Sequence, residues 1–170
     1  MRPPVDHRRG VLQLGDESWL IVDSLASAAP HRYRLHWLFP DMDHSWQEEH
    51  AMLNLKTEAG TYHVQTLALP PRGVFSFVRG DEKSPRGWRA PYYSYKEPAL
   101  SLDLSVENAS VLFLTCFSPE SFSFTWKGDV ISVKADSWRS DLSVQTAGEK
   151  EPLVCRVLLT GIREDRLDLN

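Results

Sequence analysis

Arg32-Tyr33-Arg34-Leu35-His36-Trp37-Leu38-Phe39 decides the fold. Tyr33, Leu35, Trp37 and Phe39 fall on one side of an extended chain, with Arg34 and His36 on the other. Only a strand alternates its side chains with a period of two. Pro40 and the acidic Asp41-Met42-Asp43 end the run. Upstream, Ser18-Trp19-Leu20-Ile21-Val22-Asp23 is apolar on both faces, as expected of a strand covered from both sides. Before it, Val11-Leu12-Gln13-Leu14 is closed by the turn pair Gly15-Asp16.

The same pattern continues downstream. Met52-Leu53-Asn54-Leu55-Lys56-Thr57, then Ala59-Gly60, then Thr61-Tyr62-His63-Val64-Gln65-Thr66-Leu67 reads as a hairpin. Val74–Val78 follows, and beyond a long loop the segments Ala99–Val106 and Ser110–Thr115 add two more strands. Phe122–Trp126 and Val130–Lys134 flank the turn Lys127-Gly128-Asp129, and the segments Leu142–Val144 and Leu153–Leu159 close the series. No stretch has helical periodicity over three turns. Strands about 8–12 residues apart with turn residues between them indicate a sandwich or barrel. We expect one all-β domain over residues 1–170: an antiparallel β-sandwich of two stacked sheets with little or no helix.

Composition bounds the partners. The 170 residues are 42% hydrophobic and 25% charged, ordinary for a globular domain. A formal charge of −4 argues against nucleic acid, which wants a basic field. No run is long and apolar enough to span a membrane, and Met1–Arg9 lacks the apolar centre of a signal peptide, leaving the location undefined. The two cysteines, Cys116 and Cys155, sit in apolar runs and read as buried thiols, with a disulfide between them left open.

Catalytic signatures are weak. There is no Gly-x-Ser-x-Gly elbow and no phosphate-binding glycine loop. Acid pairs such as Asp41/Asp43 and Glu48/Glu49 lie in polar loops and read as solvated surface. Two groups of residues stand out. His7, Asp23 and His36 lie on or at the ends of three successive predicted strands, and converging they would suit tetrahedral zinc, with His31 and His44 as substitutes. The plainer alternative is rim histidines and a turn-capping aspartate. The second group is Trp88, Arg89, Tyr92, Tyr93, Tyr95 and Lys96 in the loop 86–97. Rings beside cations suit sugar stacking, while tyrosine and a cation suit proton transfer next to a uronic carboxylate. The plainer alternative is a loop packed on itself or against another domain.

Four segments in order carry a family resemblance. They are the 7–12 opening His-Arg-Arg-Gly-Val-Leu, Trp19–Leu25, His31–Asp41, and Gly87-Trp88 … Pro91-Tyr92-Tyr93 … Lys96-Glu97-Pro98-Ala99-Leu100. Together they resemble the C-terminal β-sandwich of the heparinase II/III-like polysaccharide lyases. The last segment is similar to that family's G-W-x-S-x-x-Y-x-x-K-x-P-A stretch. The resemblance covers His7 to about Cys155. It implies a sandwich joined to an N-terminal α/α toroid in an enzyme that cleaves uronic-acid polysaccharides by β-elimination, with catalytic Tyr, His and Asn mainly in the toroid. It also implies a His-Asp-His zinc set, in which His7 and Asp23 match the first two positions and His36 or His31 fills the third. The resulting expectation is an accessory domain, not competent alone, whose partners are an acidic polysaccharide and the toroid. The alternatives are a free-standing carbohydrate-binding module and a purely structural domain.

Overall fold

The computed structural model describes residues 3–145 and the backbone of 154–158. Twelve strands run in order: β1 (Val5–Gln13), β2 (Trp19–Pro40), β3 (His44–Gln47), β4 (Met52–Thr57), β5 (Gly60–Leu69), β6 (Val74–Arg79), β7 (Trp88–Arg89), β8 (Glu97–Ser118), β9 (Ser123–Lys127), β10 (Val130–Lys134), β11 (Arg139–Gln145) and β12 (Val154–Leu158). The only helical element among the described residues is a 3-10 turn at Glu48–His50. No helix among them is long and apolar enough to cross a membrane. All pairings are antiparallel, in one eight-stranded sheet and one four-stranded sheet.

The expected all-β fold with two stacked sheets is present, and the two predicted hairpins are β4–β5 and β9–β10. β3 and β7 are strands that the sequence pattern did not predict, and two pairs of predicted strands are continuous. Residues 19–23 and 32–39 belong to one strand of 22 residues, and residues 99–106 and 110–115 to another. These two long strands pair along their whole length, from Trp19↔Phe117 to Pro40↔Ala99. The register shifts between Ala26↔Ser110 and His31↔Asn108, so residues 27–30 stand against Ala109 alone. Extra residues on one strand bend it and sharpen its twist. The Tyr33 hydroxyl donates to the Ala109 carbonyl at 2.9 Å and pins the bend.

The bend folds the large sheet over on itself. Leu25, Ala68, Val111 and Phe113 from one side of it pack with Tyr33, Leu35, Trp37, Phe75, Leu104 and Val106 from the other. The Trp37 indole donates to Thr115 Oγ1 at 3.1 Å across this interface, and its ring meets Phe117 edge-on at 5.1 Å. The small sheet covers the opposite face: Leu20, Val22, Leu112, Leu114 and Cys116 pack against Phe122, Ile131, Val133, Trp138, Leu142 and Val144. The middle layer is therefore buried from both sides along residues 111–116, whereas in 18–23 Leu20 and Val22 are buried and Trp19 is exposed, so the coverage expected on both faces is not complete there.

Candidate functional site

The outer layer consists of the second half of β2, the first half of β8, and β6. Its inward face supplies core, and its outward face carries polar side chains. The register sets His36 and Ser76 on either side of Asp103, and Arg34 and Val74 on either side of Ser105. Asp103 is only 5% exposed, although it lies on the outward face. The covering group is Arg86, which reaches down from the loop. Its Nε lies 3.2 Å from Asp103 Oδ2, Nη1 donates to Ser76 Oγ at 2.8 Å, and Nη2 donates to the Ser76 and Ser101 carbonyls at 3.0 and 3.1 Å. Arg34 Nε stands 3.6 Å from Asp103 Oδ2, and His36 Nε2 lies 2.9 Å from Ser101 Oγ. Burial, the largest influence, holds the His36 imidazole below its ordinary range, partly offset by the Asp103 carboxylate.

The loop 86–97 rises from this root. Gly87 has φ +79°, and an added Cβ would lie 2.5 Å from the Gly80 nitrogen, so only glycine fits there. Its carbonyl accepts from both the Gly80 and Ala99 amides, at 2.9 and 2.8 Å. Trp88 is half-buried: its indole donates to the Asp81 carbonyl at 3.1 Å, and Lys96 Nζ sits 4.2 Å over the ring. Trp88 thus props the loop, with one face already occupied by a cation. Arg89 is paired with Glu97. Tyr92 and Tyr95 stack at 4.8 Å and 10°, leaving Tyr92 65% and Tyr95 43% exposed, and Tyr93 is 96% exposed. Of the six loop residues singled out in the sequence, the three tyrosines present free ring surface, while Trp88, Arg89 and Lys96 have partners within the loop.

The predicted zinc ligands are distributed differently. The β1–β2 register sets Arg9 opposite Asp23 and His7 one step diagonally away. His7 Nε2 lies 2.9 Å from Asp23 Oδ1, and Arg9 grips both carboxylate oxygens, Nε to Oδ1 at 2.7 Å and Nη2 to Oδ2 at 2.9 Å. Its guanidinium carbon also stands 5.6 Å from the centre of the Trp37 ring. His36 is not in this group, since it sits on Ser101 beside Asp103. His31 stacks loosely on Tyr33 at 6.0 Å, and His44 Nδ1 bonds the Met42 carbonyl at 2.8 Å. Among the described residues no three His, Cys, Asp or Glu side chains cluster as a metal requires. With both Asp23 oxygens held by a guanidinium, the donor set does not fit zinc. What remains is a histidine held by a buried carboxylate. A carboxylate only accepts, so the hydrogen of this bond is on His7 Nε2.

Sequence reasoning missed Arg9 and the Asp103 cluster. The signal for the cluster was present, since Asp103 falls on the polar face of 99–106, in step with Ser101 and Ser105 and opposite Leu100, Leu102 and Leu104.

Fold and site together define an all-β, layered domain with a tyrosine-bearing loop at one rim. The Heparinase II/III-like, C-terminal family model matches residues 1–138, and the chain belongs to that family. The heparinase III BT4657 gene product aligns with a TM-score of 0.64 and 20% identity, over 81% of this chain and 23% of that one. A second structure of it, with methylated lysines, gives the same TM-score and identity over 80% and 23%. A mutant of the heparan sulfate lyase HepC from Pedobacter heparinus aligns with a TM-score of 0.63 and 15% identity, over 82% and 24%. The chain thus spans about a quarter of the length of these structures. The comparison with curated proteins returns no match.

Proposed function

We propose that this chain acts as the accessory sandwich domain of a polysaccharide lyase, and that its 86–97 loop forms part of the wall of a cleft for acidic polysaccharide. The observation that carries the reading is the loop itself. Its root is fixed by Gly87, Arg86 and Trp88, yet Tyr92, Tyr93 and Tyr95 are held out to solvent. A loop that served only packing would turn those rings inward, because burying a tyrosine ring is favourable. The structural neighbours named for heparinase III and heparan sulfate lyase activity support the substrate class. The much greater length of those chains supports a further domain in the working enzyme, for which the family resemblance suggests a helical toroid.

On this reading the chain supplies surface and stability, and the reacting groups come mainly from its partner domain. The test combines turnover with binding. The 170-residue chain, incubated with heparan sulfate or alginate, should release no unsaturated uronate and should bind the polymer weakly by calorimetry. Tyr92→Ala/Tyr95→Ala should weaken that binding about tenfold, consistent with stacking worth ~1–2 kcal/mol. Turnover by the chain alone would overturn the accessory role, and binding indifferent to the tyrosines would overturn the cleft wall.

A further inference from the structure

The outward face of β2 carries two arginines and a histidine that the loop reading does not use. Arg32, Arg34 and His36 alternate along it, about 7 Å apart from one to the next. The whole chain is acidic, at −4, yet on this face three guanidiniums, Arg32, Arg34 and Arg86, stand against two carboxylates, Asp103 and Glu107. Around Asp103, two guanidiniums, Arg34 and Arg86, stand against one buried carboxylate. Arg86 is spent on Ser76, Ser101 and Asp103. Arg34 is not: its Nε faces Asp103, its side chain is 55% exposed, and among the described residues its two Nη groups have no acceptor. A guanidinium tethered through Nε offers its outer pair of N–H donors in the fork that matches a carboxylate or sulfate. Arg32, exposed one step along, stands opposite Glu107 in the register.

We propose that Arg32, Arg34 and His36, with Arg34 oriented by Asp103, bind carboxylate or sulfate groups of an acidic polysaccharide, as a second contact continuous with the tyrosine loop. The continuity is physical, because Arg86 both covers Asp103 and begins the loop. Charge complementarity fixes the sign of the occupant, and the floor of the face narrows its class. Ser76, Ser101 and Ser105 lie between the cations, while Leu38 and Val74 are exposed singly at its margins. A protein partner would want an apolar, desolvated centre, and this face has none. An extended polyanion needs only charge and hydrogen bonds.

The proposal rests on the loop reading, so the experiment separates the two. The full chain is titrated with dextran sulfate, polygalacturonate, neutral dextran and polyglutamate, at several salt concentrations. The expected result is binding to at least one of the acidic polysaccharides and not to neutral dextran. Arg32→Gln/Arg34→Gln should weaken it about tenfold or more, the worth of one charge-assisted hydrogen bond, and should flatten its salt dependence. Should that variant melt early, Arg34→Lys keeps the charge without the fork and should still cost several-fold. Wild-type affinity in the arginine variants, with loss only in Tyr92→Ala/Tyr95→Ala, would overturn the cationic contact and leave the loop reading standing. Polyglutamate bound as tightly, with the same arginine dependence, would overturn the polysaccharide in favour of an acidic protein. No binding of any polyanion would overturn both readings.

Discussion

Single residues fix the site. Asp23 is buried and takes three hydrogen bonds, from His7 and twice from Arg9. Removing the guanidinium leaves a charged group in the interior without its counter-ion. Arg9→Ala should therefore cost about 2 kcal/mol in chemical denaturation, more than an exposed arginine is worth. Asp23→Asn/Arg9→Met should recover much of it, because both partners of the ion pair are then gone. Gly87→Ala should lower stability by about 2 kcal/mol, since the new methyl meets the Gly80 backbone at a left-handed φ; the loss should appear as loop exposure in hydrogen exchange before global unfolding. Cys116 is a free thiol in the core, and burial pushes it well above its ordinary range. Thiol reagents should label it only on unfolding. The side chain of Cys155 lies outside the described residues, as do the predicted strand's end residues Leu153 and Leu159.

At the scale of elements, the outer-layer strand couples charge to stability. His36 on β2 and His63 on β5 both have pKa values lowered from the free-imidazole value, chiefly by burial. A group whose folded pKa is depressed binds its proton more readily when unfolded. Stability from these two is fully present above about pH 6.5, the ordinary histidine value, and is lost as pH falls below it. Melting temperature followed from pH 8 to 5 should drop through that window, and His36→Gln should shallow the drop. A profile flat in both proteins would show that neither imidazole is held neutral by the fold. Most elements were legible because a strand's period of two survives in the sequence wherever one face is buried. Residues 32–39 and the β4–β5 hairpin are cases where pattern and turn chemistry agree. The continuity of β2 was not legible. Ala26-Ser27-Ala28-Ala29-Pro30 looks like a break, and only the pairing partner shows that the chain bulges and carries on. Nor could the placement of His36 be read, since face parity does not say which layer a strand joins after a bend. Trp88 illustrates the same limit: an indole suits a sugar platform, but its N–H is taken by the Asp81 carbonyl and one ring face by Lys96.

For the whole molecule, the middle layer carries the load. Leu142 on the small sheet is fully buried against it. Leu142→Ala should cost about 3 kcal/mol, a core deletion with little room to relax. If the small sheet were a loosely attached flap, the change would cost under about 1 kcal/mol and leave large-sheet amides protected, which hydrogen exchange would reveal.

The two 22-residue strands are shared between the outer and middle layers, and residue 19 is joined to residue 117. A ribosome must therefore deliver nearly the whole domain before either layer can close, and contacts so distant along the chain form slowly. Until then the part of β2 beyond its pairing with β1, residues 28–40, emerges as a ribbon with apolar side chains and unpaired amides, an invitation to mispairing with neighbouring nascent chains. Its arginines and the proline at position 30 break that ribbon at intervals, a protection against clumping that operates before any glycan is met.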